Sequence, residues 1–430
     1  MKNYLSNYLD IIFSRHLLLF FVSIALFLSP LMLSLVVEQQ FTKLIAILIS
    51  PVVLVIFLSY PILGLIILPF ISYLIPQGIN LGSKYFTPGL LISAIVIVSS
   101  VLNIFVRGFI PKFSPILFIL VFVQAILSYF TKYWYFVTYI QSITPLILFW
   151  LLINNKADGK KIIKYWLIAY SIFAISHVLR GGFTISDGSF LQGMANVRNA
   201  ELGLFNPNVL AWTATLYFSI AIGFFMTEDK KWIISILSIV FLTIFTFSRA
   251  GIAGIIISII LCFLFYTRDF KSFKKLILPI FATLALLYLL MKMAVSTGIV
   301  HSHRGIDFYN YYIVAAERLS KSIGGLETDY FNSNQKADHN AFTKSYIEYG
   351  IFHFISVILI FASFLYNCIL LLLYHKNIKD MHFNIGILIA AIVSVVQTVF
   401  GNTIYDATYA QFFFLLLGYI FLAKKEIAIN

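Results

Sequence analysis

Apolar runs of about 20 residues recur along this chain, most of them separated by short polar turns, and that repetition limits the fold more than any single motif. A helix crossing the hydrocarbon core of a bilayer needs about 20 such residues. Runs of this kind lie near 16–37, 44–59, 61–75, 88–106, 113–130, 133–153, 162–179, 209–226, 232–247, 251–266, 276–296, 349–374, 383–400 and 409–423. The stretch 44–75 is too long for one span and short for two, with Tyr60-Pro61 as the turn between them. Inside lipid, backbone amides and carbonyls find no water, so such runs must satisfy themselves as helices. The predicted fold is an all-α polytopic transmembrane bundle of about 14 spans, with 12 or 13 as alternatives.

Composition removes the soluble alternatives. The chain is 61% hydrophobic and 11% charged, whereas soluble domains carry about 25% charged residues. A net charge of +13 would raise the question of nucleic acid in a soluble protein. Here the basic residues sit in short clusters between apolar runs, and no polar domain offers a basic face, so nucleic acid is not an expected partner. Cys262 and Cys368 both fall inside apolar runs and read as small core hydrophobes rather than a disulfide. The first run begins near His16 without a small-residue cleavage site, so no cleavable leader is expected.

Lysines and arginines in short loops mark the cytoplasmic side. Alternate loops hold Lys2, Arg15, Arg107, Lys112, Lys156, Lys160, Lys161, Lys164, Lys230, Lys231, Arg268, Lys271, Lys274, Lys275, Lys376, Lys379, Lys424 and Lys425. That set is expected inside, together with both termini, in a bacterial-type inner membrane. The outer side then carries two long polar segments, 180–208 and 297–348, on one membrane domain spanning 1–430. No Gly-x-x-x-x-Gly-Lys loop occurs, which speaks against an ATP-driven machine.

Chemistry-bearing residues gather on the outer side. Arg249, in Phe245-Thr246-Phe247-Ser248-Arg249-Ala250-Gly251, sits in a tight turn between two apolar spans, where a charge is costly and usually functional. The bland reading is an arginine snorkelling to headgroups. Arg304, in His301-Ser302-His303-Arg304-Gly305, offers a planar cationic fork suited to phosphate oxygens, against the reading of a solvated loop arginine. Asp338-His339-Asn340-Ala341-Phe342 precedes Tyr346, Glu348, Tyr349 and Gly350 at the mouth of a span. His339 there suits general acid–base work. Arg198 and the run Asn206-Pro207-Asn208 form a further cluster, although Asn208 also reads simply as a helix cap. Arg180 is a weaker outward cation. Tyr309, Tyr311, Tyr312, Tyr330 and Tyr346 could stack on sugars. His301, His303, Asp338 and His339 lack regular metal-ligand spacing, and no Asp-x-Asp pair occurs. Neither a metal nor another cofactor is expected.

In order, spacing and topology, these motifs resemble the O-antigen polymerase and O-antigen ligase superfamily. The resemblance covers residues 200–400: Gly203 to Asn208 with a following span, Thr246 to Gly251, the outer loop with Arg304, then Asp338-His339-Asn340 and Glu348-Tyr349-Gly350-Ile351. It implies a helical bundle similar to C-class glycosyltransferases and a metal-independent, inverting glycosyl transfer at the periplasmic face. The implied donor is a glycan on undecaprenyl pyrophosphate. A polymerase passes it to another lipid-linked repeat unit, a ligase to lipid A-core. The positions of Arg249, Arg304 and His339 match the family's functional arginines and histidine. Arg198 matches less closely, and Arg180, Asn208, Asp338, Asn340 and Glu348 are the remaining expected substrate contacts. The implied partners are the lipid-linked oligosaccharide as donor and acceptor, membrane lipid, and a chain-length regulator protein. Fixed arginines would neutralise the pyrophosphate in a medium of low dielectric, where they act most strongly. His339 would accept the acceptor hydroxyl's proton, oriented by Asp338 or Glu348. A precursor transporter or flippase is the alternative of another class. It requires charges deep in several spans, and few are present.

Overall fold

The computed structural model describes residues 60–74, 79–81, 84–86, 93–101, 114–131, 133–183, 207–246, 248–266, 285, 341–374, 378–401 and 403–429. The described residues are overwhelmingly helical. In chain order the helices are α1 (Pro61–Leu74), α2 (Pro115–Thr131), α3 (Tyr133–Leu152), α4 (Lys156–Phe183), α5 (Pro207–Thr227), α6 (Ile233–Phe245), α7 (Arg249–Phe265), α8 (Ala341–Tyr349), α9 (Ile351–Tyr374), α10 (Ile378–Phe400) and α11 (Ala407–Ile429). A helical segment also occupies 93–101. Two three-residue strands, β1 (Ile79–Leu81) and β2 (Lys84–Phe86), pair antiparallel with Ile79 opposite Phe86.

Five stretches are long and apolar enough to cross a membrane: Lys156–Leu179, Asn208–Thr227, Ile351–Tyr374, Asp380–Val399 and Ala407–Glu426. Pro61–Tyr73, Pro115–Phe130, Phe136–Leu152 and Ala250–Phe265 are shorter apolar helices. These match nine of the expected runs. The expected run at 232–247 forms α6; the runs at 16–37 and 44–59 lie outside the described residues, as does 276–296 apart from residue 285, and 88–106 is described only in part.

Local chemistry fixes the helix ends. Proline opens α1, α2 and α5, where its missing N–H would have had no intrahelical partner. Ser248 caps α7, its hydroxyl accepting the Gly251 N–H at 3.3 Å, as N-cap serines do. The expected span 349–374 is a continuous helix that begins two residues later, at Ile351. Gly350 adopts φ 86°, a left-handed conformation that ends α8, with its N–H bonded to the Tyr346 carbonyl at 3.0 Å. The last residues of the segment expected as an outer loop are therefore helical.

The centre of the bundle is α5, 94% buried over its apolar stretch, while α9 is 44% buried and lines the periphery. Small residues set the central crossings. A Cβ on Gly386 of α10 would lie 2.8 Å from the Ser219 carbonyl oxygen and 3.1 Å from the Gly223 Cα. Backbone-to-backbone packing of this kind is how helices associate where lipid supplies no hydrophobic drive. Aromatic rings fill the adjoining space: Tyr217 stacks on Tyr170 at 4.2 Å and on Phe412 at 3.6 Å. The Tyr73 and Tyr217 hydroxyls bond to each other at 2.8 Å.

Candidate functional site

The two ends of the bundle differ in charge. At one end Lys156, Lys160 and Lys164, one turn apart on α4, meet carboxylates from three other segments. Lys156 reaches Asp380 at 3.2 Å, and Lys160 lies 3.5 Å from Glu228 and 3.9 Å from Asp380. Lys164 reaches Glu228 at 2.9 Å, and the Lys156 N–H donates to Glu426 at 2.9 Å. These contacts tie together the start of α4, the end of α5, the start of α10 and the end of α11. Tyr266, just past α7, donates to the His382 carbonyl at 2.6 Å and so ends α7 at the same side.

The opposite end gathers the other termini of those helices. A Cβ on Gly251 would lie 2.3 Å from the Ala211 Cβ, so the first turn of α7 rests on the first turns of α5. A Cβ on Gly401 would lie 2.3 Å from the Trp212 ring, and the Ala341 N–H donates to the Gly401 carbonyl at 3.2 Å. Four stretches distant in sequence, near 208–212, 248–251, 341 and 401, thus converge. Three of them adjoin motifs singled out above.

Of the expected site residues, Asn208 stands half-buried in the first turn of α5. Arg249 opens α7 at this end, Arg180 lies in the last turns of α4, and Glu348 lies in the last turn of α8. The side chains of those three are outside the described residues, as are Arg198, Arg304, Asp338, His339 and Asn340 entirely. The spacing of Arg249, Arg304 and His339 therefore falls outside what the structure describes. Among the described residues no group of three His, Cys, Asp or Glu side chains could hold a metal ion.

The structure adds polar residues at this end that sequence reasoning passed over. His353, in the first turn of α9, is 1% exposed. Its Nδ1 lies 2.7 Å from the Ser345 hydroxyl on α8. Its ring stacks on Tyr349 at 4.6 Å, and Tyr349 stacks on Tyr405 at 5.5 Å. The buried Lys344 ammonium sits 5.1 Å from the centre of the Tyr405 ring, within cation–π range. A narrow crevice runs beside this stack, lined by Gln124, Tyr139, His353, Val357, Tyr405 and Phe413 among others. Nearby, the Gln397 amide donates to the Thr215 hydroxyl, and Gln411 donates to the Gln141 carbonyl at 3.3 Å. Ionisable and amide side chains inside a membrane bundle are costly, and they face its interior where function needs them. That rule could have flagged Gln124 and His353 within their apolar runs.

Asp406 sits between the short 3-10 turn Thr403–Tyr405 and α11. Its carboxylate accepts the Thr408 N–H at 2.9 Å. Burial pushes its carboxyl above the usual range, and the hydrogen bonds from Thr408 oppose that shift. At the charged end, the Lys231 N–H holds the exposed Asp229 carboxyl below its ordinary value.

No protein-family profile matches the chain, and no curated protein matches it in sequence.

Proposed function

We propose that this protein is a surface-polysaccharide polymerase of the O-antigen type. It transfers an undecaprenyl-pyrophosphate-linked glycan onto another lipid-linked repeat unit by metal-independent, inverting glycosyl transfer. The observation that carries the reading is the convergence of the 208–212, 248–251 and 341–350 motif stretches at one end of the bundle, opposite the lysine-rich end. Random placement of short motifs along a helical bundle would distribute them over both ends. The lysines of the other end, Lys156, Lys160, Lys161, Lys164, Lys230, Lys231, Lys424 and Lys425, suit the cytoplasmic face. The motif end then faces the periplasm of an inner membrane.

On this reading Arg249 and Arg304 hold the pyrophosphate leaving group. His339 accepts the proton of the attacking hydroxyl, with Arg198, Arg180, Asn208, Asp338, Asn340 and Glu348 around the glycan. As the acceptor oxygen bonds to the anomeric carbon, the bond to the pyrophosphate oxygen breaks, and the negative charge gathered there needs fixed cations. The conformation around Gly350 joins α8 to α9, and the Ala341 N–H on the Gly401 carbonyl holds the start of α8 at this end.

Deleting the gene and separating the lipopolysaccharide on a gel tests the reading. A polymerase leaves core carrying single repeat units. Unsubstituted core with lipid-linked glycan accumulating in the periplasmic leaflet identifies a ligase that uses lipid A-core as acceptor. Unsubstituted core with precursor retained in the cytoplasmic leaflet identifies a transporter and refutes the enzyme.

A further inference from the structure

The crevice between α2, α3, α9, the 403–405 turn and α11 has a polar pair set in apolar walls. Gln124 is 2% exposed and His353 1%. The Tyr139 hydroxyl lies 2.8 Å from Gln124 Oε1 and 3.1 Å from the Val121 carbonyl, but a phenol has a single hydrogen to give. If it donates to Gln124, the amide N–H2 has no partner among the described residues. If the amide is turned over, it donates to Tyr139, which donates to Val121, and the amide carbonyl is left instead. Either orientation leaves one end of the Gln124 amide over.

His353 presents the complementary case. Ser345 occupies Nδ1, and the ring lines the crevice. Nε2 is an acceptor if Nδ1 donates to Ser345 and a donor in the other tautomer. Neither Gln124 nor His353 is a permanent ion. Among the described residues no lysine, arginine, aspartate or glutamate lines the crevice, so a phosphate or carboxylate would meet no fixed counter-charge on its walls, and an ammonium no carboxylate. Val357, Ile360, Phe361 and Phe413 accept carbon. The group that fits is small and neutral, gives and takes a hydrogen bond at one atom, and rides on carbon.

We propose that this crevice is a subsite for one hydroxyl-bearing carbon of a sugar ring, with Gln124 and His353 bonding the hydroxyl between them. The proposal rests on the reading of the protein as one that handles lipid-linked glycans. It assigns sugar recognition to α2 and α9, apart from the arginines that would hold the pyrophosphate. A water molecule shares the same hydrogen-bonding chemistry but not the carbon, which the apolar walls select.

The test uses the full chain in nanodiscs and two radiolabelled probes. One is the lipid-linked oligosaccharide extracted from cells lacking the gene; the other is undecaprenyl pyrophosphate without sugar. Gln124→Met keeps the side-chain length and removes the amide. It is expected to weaken the oligosaccharide by about fivefold to tenfold, the range for one buried hydrogen bond, and to leave the bare lipid unchanged. Val357→Phe, which fills the crevice and keeps the amide, is expected to do the same and stands in if Gln124→Met fails to fold. Wild-type affinity for the oligosaccharide in either folded variant overturns the proposal and leaves a structural water site. Equal weakening of both probes overturns it as well. Chain extension is measured in the same nanodiscs. Its absence in the wild-type protein sinks the polymerase reading, whereas the difference between probes decides the crevice.

Discussion

Gly251 offers the sharpest test of how the motif end is held together. Its Cα faces α5 so closely that an added methyl would sit 2.3 Å from the Ala211 Cβ, 3.1 Å from Thr243 Cγ2 and 3.2 Å from the Ala211 Cα. Ordinary carbon–carbon contact is about 3.5–4.0 Å, so Gly251→Ala must separate the two helices locally by about 1–2 Å. Ala211 cannot yield by rotating, because its Cβ is fixed to the backbone. The displacement falls two residues from Arg249, at the first turn of α7. Overpacking a tight contact costs about 1–3 kcal/mol of stability, and misplacing a catalytic group by about 1 Å costs on the order of 100-fold in rate. Gly251→Ala should therefore lower the thermal midpoint modestly while reducing chain extension about 100-fold. Ala211→Gly removes the opposing methyl and should restore much of both losses in the double variant. Chain extension is read from labelled lipid-linked repeat units, and unfolding from intrinsic fluorescence in the same detergent. Wild-type extension by Gly251→Ala, or a double variant no better than the single, would refute the link between this crossing and the arginine.

Arg249→Ala should abolish chain extension at unchanged expression, and His339→Ala should slow it strongly; normal product length in either removes that residue from the mechanism. Asp406 carries a pH signature. With its folded-state pKa raised by burial, the protonated carboxyl is the form the fold prefers, so this contribution to stability is present in acid and is lost as pH rises through the raised value. Asp406→Asn keeps an acceptor for the Thr408 N–H, so its midpoint should exceed that of the wild type by more at pH 7 than at pH 4. An equal or opposite difference refutes the assignment. Glu228→Gln breaks contacts to Lys160 and Lys164, whose side chains are 19% and 40% exposed. Its cost should stay within about 1 kcal/mol, checked by thermal unfolding at low and high salt.

The helices were legible because a chain in lipid must hide its own polar backbone, and the apolar runs state where it does so. Their ends were less legible. Tyr349-Gly350-Ile351 read as the start of one span because nothing in an apolar run announces a left-handed glycine. The preceding stretch from Ala341 to Glu348 is short and mixed in polarity, and it read as loop. The face each apolar helix turns inward was not readable either. His353 and Gln124 sit in runs that are apolar all round, and their partners, Ser345 and Tyr139, come from other helices. The motifs could be recognised by type and order, whereas the meeting of the described stretches near 208–212, 248–251 and 341 depends on Gly251, Gly401 and Trp212. Those three residues carry no chemistry of their own.

The enclosure of α5 has a consequence for assembly. Helices enter a membrane roughly in the order they are made, and α10 and α11, which cover much of α5, follow long after it in the chain. Until they arrive, Thr213, Thr215 and Ser219 must wait in surroundings that offer little to hydroxyl groups. Each resolves this within its own helix: Thr213 donates to the Val209 carbonyl at 2.9 Å, Thr215 to Trp212 at 2.7 Å and Ser219 to Thr215 at 3.0 Å. A helix destined for the middle can thus be inserted early, self-sufficient, and only afterwards exchange lipid for neighbours.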